Sequence, residues 1–426
     1  MNAIDKKERR VVVTGIGMIS PVGQSAKECW EALLSGTSGV GSLTLFDPAA
    51  HGIETRIAAE VKNFNIQDFY PDKRKAGNFL KEMDRVTLFA MAAAKLAVDD
   101  AALKIDEGNA ERVATFIGTG VGGLTTTLQD YQRLLEGGPR KVGVRSVIKL
   151  MPNAPSGQVA IEFGAKGRAK GDATACASGL DSLLDAFMYI QDNRADVVIA
   201  GGAEAAINAI GVTSFGNMMA LSKRNDEPTK ASRPFSADRD GFVIGEGAAV
   251  LILESLEHAR ARNAKIYAEI KGGAASCDAH HIVAPNQSGE GAARAIAEAL
   301  KDAGLEPTEI DYINAHGTST PLNDACETKA IKTVFGDYAH KLAISSTKSM
   351  IGHLLGGAGA MGAAVTALSI KNSKVHPTIN YDNPDPECDL DYVPNVSRQL
   401  NVRNALVEAL GFGGHNTVLV MGQLKD

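Results

Sequence analysis

Short apolar runs that alternate with helical patterns are the feature that most constrains the fold of this chain. Each run has three to five apolar residues with glycine close by, which is typical of strands buried on both faces of a sheet. Alternation of such strands with helices predicts an α/β layered architecture. The predicted strands lie at Val11–Val13, Val113–Ile117, Val197–Ala200, Val250–Leu253, Ile266–Ile270, Ile310–Ile313, Leu342–Ile344 and Val418–Val420.

Two amphipathic helices are predicted between these strands. A Ser-x-x-Glu capping box at Ser25 and Glu28 opens the first, over residues 25–34. The second covers residues 290–300. Its spacing predicts one apolar face made of Ala293, Ile296, Ala297 and Leu300.

A weak internal echo indicates that the chain is a duplication. The segment 99–103 precedes the strand that ends at 116–120, and the similar segment 301–305 precedes residues 312–318. A charged helix over 254–262 is the expected bridge, because no Pro/Ser-rich linker divides the chain. We therefore expect two halves, residues 1–260 and 261–426.

Charge and hydropathy exclude several classes of partner. The chain has 44 Lys and Arg against 50 Asp and Glu, a net charge of −6, and so no basic surplus for nucleic acid or an anionic membrane. The longest uncharged stretch, residues 354–370, has 17 residues, fewer than the roughly 20 that cross a bilayer. It is predicted to be a buried core helix. Because the first ten residues are hydrophilic and of mixed charge, we expect a cytoplasmic protein.

Glycine is abundant, at 44 of 426 residues, and two segments fit the G-x-G-x-x-G pattern of dinucleotide sites. Residues 118–123 follow a predicted strand, but no second strand ending in an acidic residue comes about 20 positions later. Residues 357–362 lie inside a predicted helix. Tight turns and close helix packing are the favoured interpretation of both segments.

The five cysteines are scattered and form no C-x-x-C pair, so neither a disulfide framework nor a zinc site is indicated. Cys277, His280 and His281 lack an evident fourth metal ligand, and no metal is expected. Cys176 stands where an extended segment meets a predicted helix over 177–190. A lone cysteine there is usually a small core residue, but the helix N-terminus would favour a nucleophilic thiolate.

Three loops elsewhere in the chain strengthen the nucleophile interpretation. His316 follows the predicted strand Ile310–Ile313. His353, at the end of STKSMIGH, lies at a second predicted strand-to-loop exit. The loop GFGGHN at 411–416 has glycines whose backbone N–H groups could surround an oxyanion. Together with Cys176, these residues indicate acyl-group chemistry.

The motifs ATACASG, NAHGTSTP, SSTKSMIGH and GFGGHN occur in this order, and with them the chain resembles the elongating β-ketoacyl-[acyl-carrier-protein] synthases nearly end to end. The resemblance implies the thiolase-like fold, with two duplicated α/β halves in five layers (αβαβα), and a homodimer. It also implies decarboxylative Claisen condensation of malonyl-carrier with an acyl chain, in fatty-acid elongation. No bound cofactor is implied, because the substrates arrive on the phosphopantetheine arm of acyl carrier protein.

The resemblance also assigns roles to individual residues. Cys176 matches the acyl-accepting nucleophile, and His316 and His353 match the pair that binds the malonyl thioester carbonyl. Lys348 matches a lysine that orients the site, and the backbone N–H groups of Cys176 and Phe412 would form the oxyanion hole. The residues expected to bind the acyl chain and pantetheine arm are Thr318, Thr320, Phe412, Gly411 and Gly413. Those expected to contact the acidic carrier are Arg74, Lys75, Lys81, Arg140, Lys141 and Arg224.

Three departures from the family pattern leave the pathway open. Gly362 stands where fatty-acid members usually have a glutamate that can pair with the lysine. Many polyketide ketosynthases also have glycine at this position. The segment 142–150 differs from the usual aromatic stretch near the acyl tunnel, and Glu82 replaces a frequent lysine. A type II polyketide or aryl-polyene ketosynthase is therefore the alternative, followed by a non-catalytic partner subunit, which Cys176 argues against.

Overall fold

A computed structural model describes residues 9–425. Its centre is a ten-stranded mixed sheet in the order β10-β9-β13-β14-β8-β1-β7-β6-β4-β5, with two further two-stranded pairs, β2–β3 and β11–β12. The strands are β1 Val11–Ile19, β2 Gly41–Ser42, β3 Ile57–Ala58, β4 Val113–Gly118, β5 Ala169–Lys170, β6 Val197–Glu204, β7 Gly247–Ser255, β8 Ala268–Cys277, β9 Tyr312–Asn314, β10 Ala343–Ser345, β11 Lys374–Val375, β12 Arg398–Gln399, β13 Asn404–Gly411 and β14 His415–Gly422.

The sheet consists of two five-stranded halves with the same topology. In each half the strands are ordered first, fifth, fourth, second, third along the chain, as β1-β7-β6-β4-β5 and β8-β14-β13-β9-β10. The first three strands of each order pair antiparallel and the last three pair parallel. The halves meet where β1 pairs with β8 over three residues. This repeated order is the structural form of the predicted duplication.

The helices complete five layers. Helices α7 and α13 contact strands of both halves, so they form the central layer. Helix α3 packs on β1 and β7, and α10 packs on β8 and β14, on the two outer faces. The helices are α1 Ala26–Leu34, α2 Lys73–Glu82, α3 Arg85–Asp100, α4 Leu124–Gly137, α5 Ser146–Leu150, α6 Ala154–Phe163, α7 Ser178–Gln191, α8 Ala209–Asn217, α9 Leu256–Ala261, α10 Glu290–Ala303, α11 Pro321–Phe335, α12 Lys348–Ile351 and α13 Ala358–Asn372.

All eight predicted strands overlap strands of the structure, but the pattern missed β13 and the five two-residue strands β2, β3, β5, β11 and β12. The uncharged stretch is the core helix α13, which begins at Ala358 after a short turn. The apolar face predicted for α10 is partly wrong, because Ala297 is exposed while Ala292, Ala295 and Ala299 are buried.

The predicted capping box is half formed. The Ser25 side chain accepts from the N–H of Glu28, as predicted. The Glu28 carboxylate, however, accepts from the N–H of Gln24, at 2.8 Å, one residue before the expected donor. Along residues 9–425, every helix is too short or too polar to span a bilayer.

Two strand-exit loops of different halves approach each other closely at glycines. A Cβ at Gly356 would lie 2.3 Å from the backbone nitrogen of Gly120, and a Cβ at Gly118 would lie 2.3 Å from the carbonyl oxygen of Ser178. Only glycine permits such contacts. The two loops therefore meet beside the N-terminus of α7, which is where Cys176 lies.

Candidate active site

Cys176 lies in a single 3-10 turn, Ala175–Ala177, that leads directly into α7. Ala175 is in the left-handed region, with φ of 50°, which costs a non-glycine residue free energy. Ser178 stabilises this turn, since its Oγ accepts from the N–H of Thr174 at 3.0 Å and donates to the carbonyl of Ala175 at 2.6 Å. The turn thereby presents a side chain that is only 7% exposed at the floor of a cavity.

The position of Cys176 before a helix predicts a lowered pKa for its thiol, but in the structure that pKa is raised. Burial raises its pKa to about 12, although Lys348 and the backbone N–H groups of Phe412 and Cys176 act in the lowering direction. The thiolate predicted from the helix N-terminus is therefore wrong for the resting site, because desolvation outweighs the helix terminus. Resting Cys176 is a thiol.

The loop after β13 brings a second backbone N–H to the sulfur. Gly411 ends β13, and a Cβ there would lie 3.3 Å from the backbone nitrogen of Cys176. The N–H groups of Phe412 and Cys176 both face the Cys176 sulfur. Two donors converging on one atom have the geometry of an oxyanion hole.

His353 contacts the nucleophile directly. Its Nε2 lies 3.1 Å from the Sγ of Cys176, and its Nδ1 accepts the backbone N–H of Leu355 at 3.2 Å. Because Nδ1 is an acceptor, the proton of the neutral ring is on Nε2. His353 therefore offers an N–H to the sulfur, or to an oxygen placed beside it.

His316 lies in the loop after β9, with its ring centroid 5.3 Å from that of His353 and the two rings nearly perpendicular. Glu327 holds this loop, since its carboxylate accepts the N–H of His316 at 2.6 Å and of Gly317 at 2.8 Å. Burial, with the charge of Lys348, holds the pKa of both histidines well below 6.5. Both rings are neutral near pH 7.

Lys348 begins α12 and lies behind the histidines. Its ammonium donates to the carbonyl oxygen of His316. Burial lowers its pKa to about 8, with Glu327 the largest opposing influence. Lys348 is therefore a buried cation near neutral pH and loses its charge at mildly alkaline pH.

The cavity above Cys176 has a volume of about 420 Å³. Thr318 and Thr320 line it and share a hydrogen bond of 2.9 Å between their hydroxyls. Gly411, Phe412 and Gly414 also line the cavity, whereas the predicted Gly413 does not. Its apolar lining includes Met218, Met219, Phe242, Leu322, Leu355 and Leu410.

The six basic residues predicted to contact a carrier differ in their availability. Lys75 forms an ion pair with Glu162 at 2.6 Å, and Arg224 pairs with Asp238 at 3.0 Å. The other four are exposed, and they are Arg74, Lys81, Arg140 and Lys141.

Several residues that shape the site carried no signal of their own in the sequence analysis. Leu355 fixes the tautomer of His353 through its backbone, and Glu327 fixes the loop of His316. Glu204, at the end of β6, accepts from the backbone N–H of Gly120 at 2.8 Å and of Gly356 at 3.2 Å. For Glu204 the available sign was an acidic residue inside the apolar, glycine-rich segment 197–206, because a buried carboxylate needs donors.

The metal and nucleotide interpretations find no support in the geometry. Within the described part of the chain, no three His, Cys, Asp or Glu side chains are grouped as metal ligands would be. In the loop 118–123, the N–H of Gly120 donates to Glu204, so that donor is already used within the protein.

Comparison with family models gives two matches. The N-terminal domain of β-ketoacyl synthases matches residues 8–259, and the C-terminal domain matches residues 267–382. Among curated relatives, the 3-oxoacyl-[acyl-carrier-protein] synthase 2 of Synechocystis sp. is 50% identical over 97% of this chain and 98% of its own length. The protein of that name from Staphylococcus aureus strain COL is 48% identical over 98% of this chain and 99% of its own.

Solved structures agree with these matches. A chain from the complex of a type II polyketide synthase acyl carrier protein with its hexaketide-bound ketosynthase has a TM-score of 0.90 and 36% identity, covering 98% of this chain and 100% of that chain. A β-ketoacyl synthase from Burkholderia phymatum has a TM-score of 0.89 and 35% identity, with the same coverage.

Proposed function

This chain belongs to the β-ketoacyl synthase family, a family of acyl-transferring enzymes that form carbon–carbon bonds, and we propose that Cys176, His316 and His353 carry out its reaction. The reaction is decarboxylative condensation of malonyl-carrier with an acyl chain held on Cys176. The observation that carries the proposal is the convergence of a buried thiol, an N–H of His353 at 3.1 Å and a second neutral imidazole beside it.

The first step transfers the acyl chain from its carrier. The sulfur of Cys176 forms a bond to the thioester carbon, the bond from that carbon to the pantetheine sulfur breaks, and the thiol proton goes to the departing sulfur. Because resting Cys176 is protonated, no separate acid is needed for the leaving group. The N–H groups of Cys176 and Phe412 stabilise the oxyanion that forms.

The second step creates a carbanion by decarboxylation. The bond from the malonyl carboxylate to the adjacent carbon breaks, CO₂ leaves, and the electron pair moves toward the thioester oxygen as an enolate. His316 and His353 would donate to that oxygen, and neutral donors bind it most strongly when its charge develops. The carbanion then attacks the acyl group on Cys176, the Cys176 sulfur leaves as a thiolate, and one proton from solvent restores the thiol.

The substrate's pantetheine arm would lie along one wall of the cavity. Thr318 and Thr320 have hydroxyls there that can exchange their mutual hydrogen bond for bonds to the arm's amides. Arg74, Lys81, Arg140 and Lys141 are the exposed cations available for an acidic carrier protein, which is the partner in our proposal.

Fatty-acid elongation is the proposed pathway, because the relatives near 50% identity are 3-oxoacyl-[acyl-carrier-protein] synthases 2. The polyketide alternative keeps support from Gly362, where a Cβ would lie 2.8 Å from the Oδ1 of Asn314, so a glutamate there would require the Asn314 side chain to move. Mass analysis of products from malonyl-carrier and a ladder of acyl-carriers separates the two. Single two-carbon extensions of long saturated chains support the fatty-acid role, and unreduced multiply extended products contradict it.

The two halves predicted from sequence remain our proposed division, with residues 1–260 providing Cys176 and residues 261–426 providing both histidines. Helix α9 lies between β7, the last strand of the first half, and β8, the first strand of the second. Each half thus contributes one part of the reaction, acyl acceptance or decarboxylation.

We also propose a homodimer, on the basis of an apolar surface on the adjacent helices α4 and α5. Exposed residues on these helices and on the loop between them are Tyr131, Leu134, Leu135, Val144, Val147 and Ile148. Clusters of this kind usually mark an interface. Strand β5 also lies at the outer edge of the sheet, where its backbone can pair with another strand.

Val147→Glu is expected to weaken the dimer by about a hundredfold, because two unpaired charges would be buried at the interface at a cost of roughly 3 kcal/mol. Sedimentation at several protein concentrations measures the change. Val396→Glu is the matched control, since Val396 is 73% exposed and Val147 is 65% exposed, but Val396 lies outside α4 and α5. A dimer equally stable in both variants would disprove the assigned interface.

The decarboxylation rate is expected to fall as pH rises through about 8, the pKa of Lys348. Below that pH the lysine is charged and supports negative charge near His316, and above it the lysine is neutral. Lys348→Met should lower the rate at pH 7 by about a hundredfold, a typical loss for a preorganised electrostatic group, and should remove the alkaline decline. Release of CO₂ from malonyl-carrier across pH 6 to about 9.5, with circular dichroism to verify folding, tests both. An alkaline decline retained in the methionine variant would assign it to another group.

A further inference from the structure

Glu408 is a buried acid that the reaction described above does not use. It lies on β13 and is 2% exposed. Its neighbours on the same face of the strand, Leu406 and Leu410, pack in the apolar cluster that includes Ala330 and Ile331 of α11. An ionisable side chain on such a face is costly unless a specific partner offsets the desolvation.

The partner available to Glu408 is another acid. Neither of its carboxyl oxygens receives a hydrogen bond from a donor among residues 9–425. The neighbouring group is the carboxyl of Glu327, with which Glu408 can share a hydrogen bond. Two carboxylates have only acceptors, so this contact requires that one of them carries a proton.

The surrounding donors decide which acid holds the proton. Glu327 accepts the backbone N–H groups of His316 and Gly317 and, at 3.3 Å, the amide of Asn323. Those bonds favour its anion, whereas Glu408 has no donor to stabilise a charge. Burial and the charge of Glu327 raise the pKa of Glu408 well above 4.5, and burial also raises the pKa of Glu327.

The other titratable groups that face this pair come from three elements. His316 lies in the loop after β9, Lys348 lies on α12, and Asp324 lies on α11, which also carries Glu327. Tyr392 is a further titratable group beside Glu327. Arg239 pairs with Asp324 at 3.6 Å, which leaves Lys348 as the cation that a single negative charge on the pair balances. A second negative charge would be left uncompensated.

We propose that Glu408 is a neutral acid that donates its proton to the Glu327 carboxylate, and that it is thereby a positioning residue for His316. Glu327 binds the backbone N–H of His316 at one oxygen and that of Gly317 at the other, so a further proton donor fixes the carboxylate and, through it, the loop that carries the imidazole. Helix α13 has no acidic residue, and β13 instead places the Glu408 carboxyl beside Glu327. The rate effects rest on the proposed function, but the protonation state does not.

The test compares Glu408→Gln with Glu408→Met. Glutamine has a side chain of the same length with an N–H donor at its end, whereas methionine has a similar length and no donor. Infrared difference spectra against the parent protein at pH 7 should show in both variants the loss of a carbonyl band from a protonated carboxylic acid. Glu246→Gln is the control, since Glu246 is equally buried but forms a 2.6 Å ion pair with Arg85 and should contribute no such band. Malonyl decarboxylation should stay within about twofold in the glutamine variant and fall about tenfold in the methionine variant.

Thermal melts establish that each variant is folded. If the acid band persists in both variants, Glu408 is ionised and the proposal is overturned. Loss of the band with equal rates in the glutamine and methionine variants overturns the positioning role. If the parent protein does not decarboxylate malonyl-carrier, the proposed function fails, and the infrared result still decides the protonation of Glu408.

Discussion

Replacing Cys176 with alanine is expected to abolish acyl transfer and condensation while leaving part of the malonyl decarboxylation. Condensation should fall on the order of a millionfold, the scale for removing the nucleophile of a covalent catalyst. Decarboxylation persists because its enolate is stabilised by the N–H groups of His316 and His353, which the substitution leaves in place. Intact-protein mass after incubation with acyl-carrier, and CO₂ release from malonyl-carrier, measure the two activities separately.

Cys277→Ser is the matched control, because Cys277 is the exposed cysteine and the one most open to non-specific acylation. It should acquire one acyl group per chain, like the parent protein. An acyl mass that survives in Cys176→Ala but disappears in Cys277→Ser, with condensation intact, would contradict the assigned nucleophile.

Removing either of the two histidines that we propose as catalytic is expected to lower malonyl decarboxylation by about a hundredfold to a thousandfold, the usual loss for one donor to a developing oxyanion. The effect is best measured in the Cys176→Ala background, where acylation no longer contributes. His316→Ala and His353→Ala should have similar effects, and the double variant should lose little more than either one, since both donors bind the same oxygen.

His353→Asn separates donation from other roles of the ring. An amide N–H can replace the N–H of Nε2, so this variant should retain more decarboxylation than His353→Ala. His280→Ala, which changes an exposed histidine, should have no effect. An asparagine variant as slow as the alanine variant would show that His353 does more than donate a hydrogen bond.

The protonation of Cys176 illustrates why local sequence was insufficient. Its place before α7 was predictable, because apolar residues recur at helical spacing after it. The extent of its burial depends on loops from distant segments, including Phe412, Leu355 and Phe242, which close around the sulfur. Desolvation then outweighs the helix terminus, and no local pattern carries that information.

The missed strand β13 has a similar explanation. Its apolar run, residues 405–407, is only three residues long, and Glu408 follows it directly, so the local signal is weak. The partner strands β9 and β14 stabilise it on both sides. Tertiary pairing therefore overrode a weak local preference, and it placed Glu408 in the protein interior.

The sequence by itself determined the α/β class, eight strands, the core helix, the duplication and the family, because periodic burial and long motifs are properties of contiguous residues. It also predicted Cys176, His316 and His353 as the site, and the structure brings these three side chains together. Only the tertiary structure decided that Nε2 of His353 is the donor, that Cys176 rests as a thiol, and that Glu408 faces Glu327. Those properties depend on solvent exclusion and on contacts between residues far apart in the chain, and neither is written in any local segment.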